Sequence, residues 1–300
     1  MSKKIPTYSI CNLIGADQCV VEFQIMRLRE YTAQTPDIEF PHRHSFFQIV
    51  LFTEGSGTHA IDFHSYAVKP HQVYYMSPGQ IHTWDFSKDT DGFVLNFNES
   101  FFTAICHNPN YVTDFPIFNT ISGDPVNVLE TECCSELHGL MEKMILEFES
   151  DHTFKQDILR ALLLQALVLL SRNMPVATRS GSTRHQVTVL HNFEKLIEQH
   201  FREKRLPRDY AEMLFLTPNH LNALTNTVIG KSAGELIRDR VVLEAKRLLV
   251  NSDYTVTQIA DILNFEDNAY FTRFFKKYTG MAPEVFRQDY ELKGLALIGS

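Results

Sequence analysis

The stretch NFEDNAYFTRFFKKYTGMAP (Asn264–Pro283) decides how the C-terminal third of this chain folds. Four aromatic residues in it recur at the spacing of one helical face and are expected to lie in a core: Phe271, Phe274, Phe275 and Tyr278. Asp267 is a typical N-cap for that helix, and Asn264 tolerates the left-handed conformation that a tight turn requires. The stretch therefore predicts a turn followed by a capped amphipathic helix.

The other face of this helix is polar. It combines an amide, a hydroxyl, a guanidinium and an ammonium group: Asn268, Thr272, Arg273 and Lys276. In a DNA major groove, amides read adenine, guanidinium groups read guanine, and cations neutralise phosphates. A single helix with such a face is more often an ordinary solvated helix, so the DNA interpretation needs a second observation.

That second observation is an internal repeat. Segment Tyr210–Leu236 aligns with segment Ile259–Phe286, so that Ala211 falls on Ala260. Each copy has a short helix with a small residue where another helix can cross closely, then a turn, then a capped helix. In the first copy the cap is Thr217–Pro218. This is the plan of a helix-turn-helix unit, and its duplication favours two DNA-binding faces.

The segment between the copies, Ala233–Val250, is expected to form one long amphipathic helix. Its apolar stripe is Ile237, Val241, Leu243, Ala245, Leu248 and Leu249. A continuous helix of this length can hold two recognition helices at a fixed separation, near the ~34 Å repeat of DNA.

These segments resemble the AraC/XylS family of bacterial transcription regulators. The resemblance rests on TPNHL (217–221), GKSAGELIRDRVVLEAKRLL (230–249) and TVTQIADILNFEDNAYFTRFFKKYTGMAPEVFR (255–287), which ends in a Gly-x-x-Pro-x-x-x-Arg pattern. It implies two helix-turn-helix subdomains that bind adjacent major-groove segments. By position, it places these residues at base edges: Asn219, Asn222 and Ala223 in the first unit, and Asn268, Ala269, Thr272 and Arg273 in the second.

The first unit departs from the family pattern. Where the family often has Arg and then Phe-Lys, this chain has Ala223 and then Leu224–Thr225. The first unit is therefore poor in cations, and the second is expected to supply more of the phosphate affinity. A weak first unit also makes dimerisation more necessary for binding.

The N-terminal half predicts antiparallel β-structure. Short segments rich in β-branched and aromatic residues are separated by turn signals: Phe47–Phe52, Thr58–Phe63, Gln72–Ser77 and Gly92–Phe97. Their spacing is typical of a sandwich or barrel. Segment Pro41–Trp84 is similar to the cupin-like sensor barrel of the family, which implies a small-molecule effector site.

Helical periodicity begins near Ser135, and a second helix is expected over Phe154–Arg172. That second helix is apolar over most of its circumference, so it lies either between the two domains or against another subunit. The predicted fold is a two-domain α+β protein. Its two domains are a cupin-like barrel with a helical dimerisation segment (1–173) and an all-α double helix-turn-helix domain (187–300). A linker (174–186) joins them.

Three histidines carry the most specific chemistry of the barrel: His42, His44 and His82. In metal-binding cupins, a His-x-His pair, an acid four residues later and a further His bind one ion. Here Gln48 stands in the acid's place, and strand alternation is expected to put it on the face of His42 and His44. A neutral amide weakens a divalent site, so an effector-contacting polar cluster is favoured over a metal site. Trp84 is expected beside His82, as a stacking surface or as a packing residue.

Composition restricts the classes of function. The formal net charge of the 300 residues is -8, with the acidic excess in the N-terminal part, which suggests two modules but not by itself nucleic-acid binding. The five cysteines show no CxxC spacing, and neither a signal peptide nor a transmembrane segment is evident, which favours the bacterial cytoplasm near the nucleoid. There is no phosphate loop, nucleophile elbow or HExxH motif.

Two hypotheses follow. The first is an effector-responsive transcription regulator, without catalytic residues or cofactor, that binds double-stranded operator DNA as a homodimer. It is an activator that contacts RNA polymerase or a repressor, depending on where the operator lies relative to the polymerase. The second is a metal-dependent cupin enzyme that carries a DNA-binding module.

Overall fold

A computed structural model describes residues 5–13, 21–35, 40–102, 105–106, 108, 111–119, 121, 123–174, 182–251 and 253–298. The chain divides into an N-terminal unit, Pro6–Pro175, and a C-terminal unit, Val176–Ser300, which also includes Met1–Ile5. The predicted linker 174–186 contains this division. Residues 175–181 lie outside the described residues, and a helix already begins at Arg184. The predicted domain limits therefore stay a prediction.

The N-terminal unit is built mainly from strands. In chain order they are β1 (Thr7–Tyr8), β2 (Phe23–Arg27), β3 (His42–His44), β4 (Phe47–Glu54), β5 (Gly57–Ile61), β6 (His64–Val68), β7 (Gln72–Met76), β8 (Ile81–Phe86), β9 (Asp91–Phe97) and β10 (Val126–Val128). Its helices are α1 (Ile10–Leu13), α2 (Leu28–Gln34), α3 (Thr131–Glu149) and α4 (Lys155–Arg172). Short 3-10 helices cover Glu99–Phe102, Val112–Asp114 and Pro116–Phe118.

The described strands form two five-stranded sheets, in the orders β1-β3-β8-β5-β6 and β10-β7-β4-β9-β2. The pairing is antiparallel, as predicted, except that β1 runs parallel to β3. Each of the four segments predicted as strands contains most of a strand, and both predicted helices are present. The two-domain α+β fold with a cupin-like N-terminal domain is confirmed.

Strand β4 explains how the layers are arranged. Val50 and Phe52 belong to a core cluster with Trp84, which lies in the other sheet. Ile49 and Leu51 belong to a second cluster that contains the apolar faces of α3 and α4. Because both faces of the strand are covered, its sequence is continuously apolar rather than alternating.

The C-terminal unit is all-helical in the described residues. Its helices are α5 (Arg184–His200), α6 (Pro207–Met213), α7 (Pro218–Ile229), α8 (Ala233–Asn251), α9 (Val256–Ile262), α10 (Asn268–Thr279) and α11 (Pro283–Ile298). Pairs α6–α7 and α9–α10 are the two helix-turn-helix units, and α8 joins them. With 19 residues, α8 is about 28 Å long.

One aromatic residue of the stretch that decides the fold lies elsewhere than expected. Phe271 and Phe275 are fully buried, but Tyr278 is 41% exposed, so its assignment to the core was wrong. The helix ends one residue later, and the guanidinium carbon of Arg238 lies 5.1 Å from the centre of the Tyr278 ring. A tyrosine at the end of the helix can keep its hydroxyl in water while its ring covers a neighbouring cation.

No helix among the described residues combines the length and the apolar character that crossing a membrane requires.

Candidate nucleic-acid interface and histidine cluster

The two helix-turn-helix units have the same turn. Phe215 and Asn264 both take left-handed φ angles, 56° and 55°. The residue after each of them donates its backbone N–H to the carbonyl of a buried alanine: Leu216 to Ala211 at 2.8 Å, and Phe265 to Ala260 at 2.9 Å. The left-handed residue predicted at Asn264 is confirmed, and the matching position in the first unit is an aromatic residue.

Both recognition helices also begin and end in the same way. The side chain of Thr217 accepts a hydrogen bond from the backbone N–H of His220 (3.2 Å), and that of Asp267 accepts one from Tyr270 (2.6 Å). Gly230 and Gly280 end the helices with φ angles of 75° and 83°. The predicted caps are therefore present, and the helices they define are 12 residues each.

The outward face of α7 is polar but carries no charge. Asn219 and Ala223 are exposed, as a DNA-facing surface requires. Asn222 is half-buried, and its side-chain oxygen accepts a hydrogen bond from the backbone N–H of Ala233 at 3.1 Å. That bond fastens the first turn of α8 to α7 and uses one lone pair of the Asn222 oxygen, so the amide donors and the second lone pair are left for a base edge.

The outward face of α10 is basic. Asn268, Ala269, Arg273 and Lys276 are exposed, and Thr272 is half-buried with its hydroxyl 3.4 Å from the Asn268 side-chain oxygen. Within the part of the chain that the structure describes, neither Arg273 nor Lys276 has an acidic partner. Two cations without a protein counter-ion suit a polyanion.

An arginine outside the second unit contacts the turn of that unit. Arg205, which precedes α6 of the first unit, donates to the backbone oxygens of Leu263 and Asn264, the latter at 3.1 Å. Its guanidinium carbon lies 3.6 Å from the centre of the Phe265 ring. Sequence reasoning missed this residue, because a single arginine in a loop has no pattern.

Arg287, the last residue of the Gly-x-x-Pro-x-x-x-Arg pattern, has a structural role. It donates to the backbone oxygens of Leu249 at 3.0 Å and of Tyr254 at 2.6 Å. The first of these carbonyls lies in the last turn of α8, where backbone acceptors have no partner within the helix. Arg287 thus caps the connecting helix, so this part of the pattern contributes to packing.

In the N-terminal unit, the predicted histidines converge. His42 and His82 are register partners on neighbouring strands, and one nitrogen of each of His42, His44 and His82 lies within 4.8 Å of the others. The ring centroids of His42 and His82 are 4.1 Å apart. All three side chains are buried. The expected cluster is therefore present.

A fourth histidine, which the sequence analysis did not single out, joins this cluster. His59 is fully buried on β5, and its Nε2 lies 3.2 Å from Nδ1 of His82. Trp84 is also buried, with its ring centroid 5.2 Å from that of His59 and 5.5 Å from that of His82. The predicted proximity of Trp84 and His82 is thus present, and Trp84 is enclosed by protein rings.

The expectation that Gln48 lies on the same strand as His42 and His44 was wrong. Residues Ser45 and Phe46 carry the chain from β3 in one sheet to β4 in the other, so Gln48 does not share a strand with His42. Its amide nitrogen donates to the Asn96 side-chain oxygen at 2.8 Å and to the Tyr31 hydroxyl at 3.3 Å. Alternation along one strand does not apply across this crossing.

The histidines of the cluster are neutral near neutral pH. Burial lowers the pKa of His42 to about 4, partly opposed by its hydrogen bond to the Phe40 carbonyl, and lowers the pKa of His59 to about 3. Burial also lowers the pKa values of His44 and His82, and the neighbouring imidazoles lower them further. Each neutral ring offers one donor and one lone pair.

Two family models match this chain, one in each unit. The family model for the AraC-like ligand binding domain matches residues 26–168, and that for a helix-turn-helix domain matches residues 210–289. The second match extends from the start of the first unit into α11, so it includes both recognition helices. This chain belongs to the AraC/XylS family.

Relatives in the AraC/XylS family align over most of the chain. It is 23% identical over 256 residues to the HTH-type transcriptional activator RhaR of Yersinia pestis bv. Antiqua (strain Angola), covering 83% of this chain and 84% of RhaR. It is 24% identical over 264 residues to RhaS of Salmonella schwarzengrund (strain CVM19633), covering 84% and 89%. ToxT from Vibrio cholerae aligns at 12% identity over 89% of this chain and 98% of ToxT, and its TM-score of 0.40 adds nothing to the assignment.

Proposed function

We propose that this AraC-family chain is a sequence-specific regulator that binds operator DNA through α7 and α10 and responds to a small effector in the N-terminal barrel. The observation that carries the proposal is the matched pair of turns and caps around Ala211 and Ala260, with both outward faces open to solvent. Two such helices on one connecting helix fit two successive major-groove segments.

Selection of bound sequences from a random DNA pool tests this proposal with the full chain. The expected result is a site with two short conserved segments, about 10–10.5 base pairs apart from centre to centre. A double variant, Asn219→Ala with Arg273→Ala, should lose that enrichment while keeping its helical content. Enrichment of the same sequences by the double variant would contradict the assignment of both faces.

We propose in addition that the active form is a homodimer formed through α4. Leu159 and Leu163 are buried against the β4 layer, but Phe154 is 73% exposed and Ile158 is 47% exposed on the other side of the helix. A second copy that presents the same face would cover them in an isologous contact. Sedimentation should show that Ile158→Glu dissociates the dimer, whereas Gln156→Glu, at an exposed position two residues away and so on a different face of the helix, should leave it intact.

The named relatives RhaR and RhaS are transcriptional activators, and we propose the same role for this chain, with RNA polymerase as its partner at the promoter. We propose that it acts in the bacterial cytoplasm, near the nucleoid. The effector is expected to bind near the cluster of His42, His44, His82 and Trp84. The enzyme hypothesis is not favoured, because the relatives that align over most of the chain are transcriptional activators.

A further inference from the structure

The histidine cluster has hydrogen-bonding groups that the protein does not satisfy. Among the described residues, Nε2 of His42, Nε2 of His82 and both ring nitrogens of His44 are buried and have no hydrogen-bond partner. A buried polar group without a partner typically costs about 1–3 kcal/mol. Nδ1 of His59 is likewise buried without a partner, so five such nitrogens in one cluster indicate that something other than protein binds there.

The tautomer of His42 is set by the backbone. Its Nδ1 lies 2.8 Å from the carbonyl oxygen of Phe40 and donates to it, because a carbonyl can only accept. In the neutral ring the lone pair is then on Nε2, the nitrogen without a partner. A histidine fixed by a backbone carbonyl in this way is a common metal ligand.

His59 can set the tautomer of His82, although its Nε2, unlike a carbonyl oxygen, can either accept or donate. When Nδ1 of His82 donates to Nε2 of His59, 3.2 Å away, the lone pair of His82 is on Nε2. His59 is the acceptor in that arrangement and does not contact the ion. The sequence interpretation had only Gln48 as a neutral substitute for the missing acid, whereas the structure supplies a buried outer partner.

We propose that His42, His44 and His82 bind one divalent transition-metal ion through ring nitrogens, with His59 as a positioning residue for His82. Three imidazoles and no carboxylate suit ions that prefer nitrogen ligands, such as Zn²⁺, and not Mg²⁺ or Ca²⁺. This inference goes beyond the proposed regulatory function and does not depend on it.

The geometry requires a modest closure. A tetrahedral Zn²⁺ with bonds of about 2.1 Å holds its ligand nitrogens about 3.4 Å apart, against a spread of up to 4.8 Å in the structure. Binding an ion therefore requires the nitrogens to approach one another by up to about 1.4 Å. His44 is in contact with Phe46, whose ring centroid is 4.3 Å away, and this packing holds the third ligand beside the other two.

The test uses the full chain without an affinity tag, purified under reducing conditions and freed of metal by dialysis. Zn²⁺ is titrated in competition with a chromophoric chelator, and bound metal is counted by mass spectrometry after desalting. The expected result is one tightly bound Zn²⁺ per chain that is absent from the double variant His42→Gln/His82→Gln. Co²⁺ in the same site should give the visible absorption of tetrahedral coordination.

Single variants separate ligand from positioning roles. His59→Phe keeps an aromatic ring beside Trp84 but removes the acceptor, so it should weaken Zn²⁺ affinity about 10–100-fold. His59→Gln keeps a hydrogen-bond acceptor and should lose less Zn²⁺ affinity than His59→Phe. His64→Gln, at an exposed position on β6, is the matched control and should bind Zn²⁺ as the parent does. Circular dichroism and thermal unfolding of each metal-free variant identify any loss that comes from misfolding.

Equal Zn²⁺ binding by the parent and by the folded double variant would overturn the proposal, since the metal would then be on surface groups. No tight Zn²⁺ in the parent would overturn it as well and would leave the cluster to water molecules. DNA binding is measured on the same preparations. A chain that binds its selected DNA but holds no metal refutes only the metal site, and the reverse result refutes only the proposed function.

Discussion

The first and second helix-turn-helix units place the same hydrogen bonds around the same turn, yet α7 and α10 present different chemistry to solvent. No cation lies within Pro218–Ile229, whereas α10 contains Arg273, Lys276 and Lys277. The cores differ too, since the buried residue of α7 at the position of Phe271 is Leu221. The comparison shows that backbone hydrogen bonds define the unit, while the surface residues of the two units can differ and so contribute unequally to DNA binding.

The largest expected effect is on the stability of the two units, through substitutions in their cores. Phe271→Ala should destabilise the second unit by about 3–5 kcal/mol and Leu221→Ala the first by about 2–5 kcal/mol, because the larger ring leaves the larger cavity. Trp84 lies in the barrel, so its fluorescence does not report on these units. Hydrogen exchange in peptides from α7 and α10 measures the loss in each unit.

Tyr270→Ala is the control for this pair, because Tyr270 is next to Phe271 but 48% exposed. It should cost much less than Phe271→Ala. If Leu221→Ala proved the more damaging of the two core variants, the aromatic core of the second unit would not be its main source of stability.

The next effect concerns DNA affinity. Arg273→Ala should weaken binding to a selected operator by about 1–3 kcal/mol, or about 5–150-fold, and relax the preference at one base position. Lys143→Ala removes the same charge from an exposed position on α3 and should have little effect. Binding by Arg273→Ala that equals the parent's in affinity and sequence preference would remove Arg273 from the interface.

A smaller effect is expected in the turns. A left-handed backbone is unfavourable for Phe215, and its side chain is 97% exposed, so little packing is lost when it is replaced. Asn tolerates this conformation better, and Phe215→Asn should therefore stabilise the first unit by about 1 kcal/mol. The reverse exchange, Asn264→Phe, should destabilise the second unit by a similar amount. Phe215→Leu keeps the backbone cost and serves as the control. Thermal unfolding gives the signs, and two shifts in the same direction would show that the turns are not equivalent.

The smallest effect is on the salt dependence of binding. Ala223→Arg should steepen the slope of log affinity against log salt concentration by about 0.9, the contribution of one phosphate contact. Lys276→Gln should reduce the slope by a similar amount. Ala223→Gln adds a side chain without charge and should leave it unchanged. An unchanged slope in Ala223→Arg would mean that residue 223 lies away from the phosphates.

The helical unit could be predicted from the sequence because its determinants are local. The caps at Thr217 and Asp267, the turn at Asn264 and the buried alanines are all within a few residues of the helices that they define. Tyr278 was misplaced because periodicity gives the face of a helix and not where the core ends. Arg205 was missed because its partners are 58 and 59 residues away in sequence.

The barrel was less predictable because its contacts join distant strands. His42, His44 and His82 were found through a spacing pattern, but His59 enters the cluster through the pairing of β5 with β8, which no local pattern reports. Gln48 was assigned to the wrong strand because the crossing at Ser45–Phe46 resembles a continuous strand in sequence. The apolar residues of β4 were evident from the sequence. Their reason is visible only in the structure, where both faces of the strand are covered.

The bond from Arg205 to the Asn264 carbonyl has a consequence for operators. It joins the approach to the first unit to the turn of the second, and so opposes independent rotation of α7 and α10. One extra base pair between the two contacted segments turns the far segment by about 35° around the duplex. Because this bond limits compensating movement of the two recognition helices, natural operators should show a constant number of base pairs between the two conserved blocks.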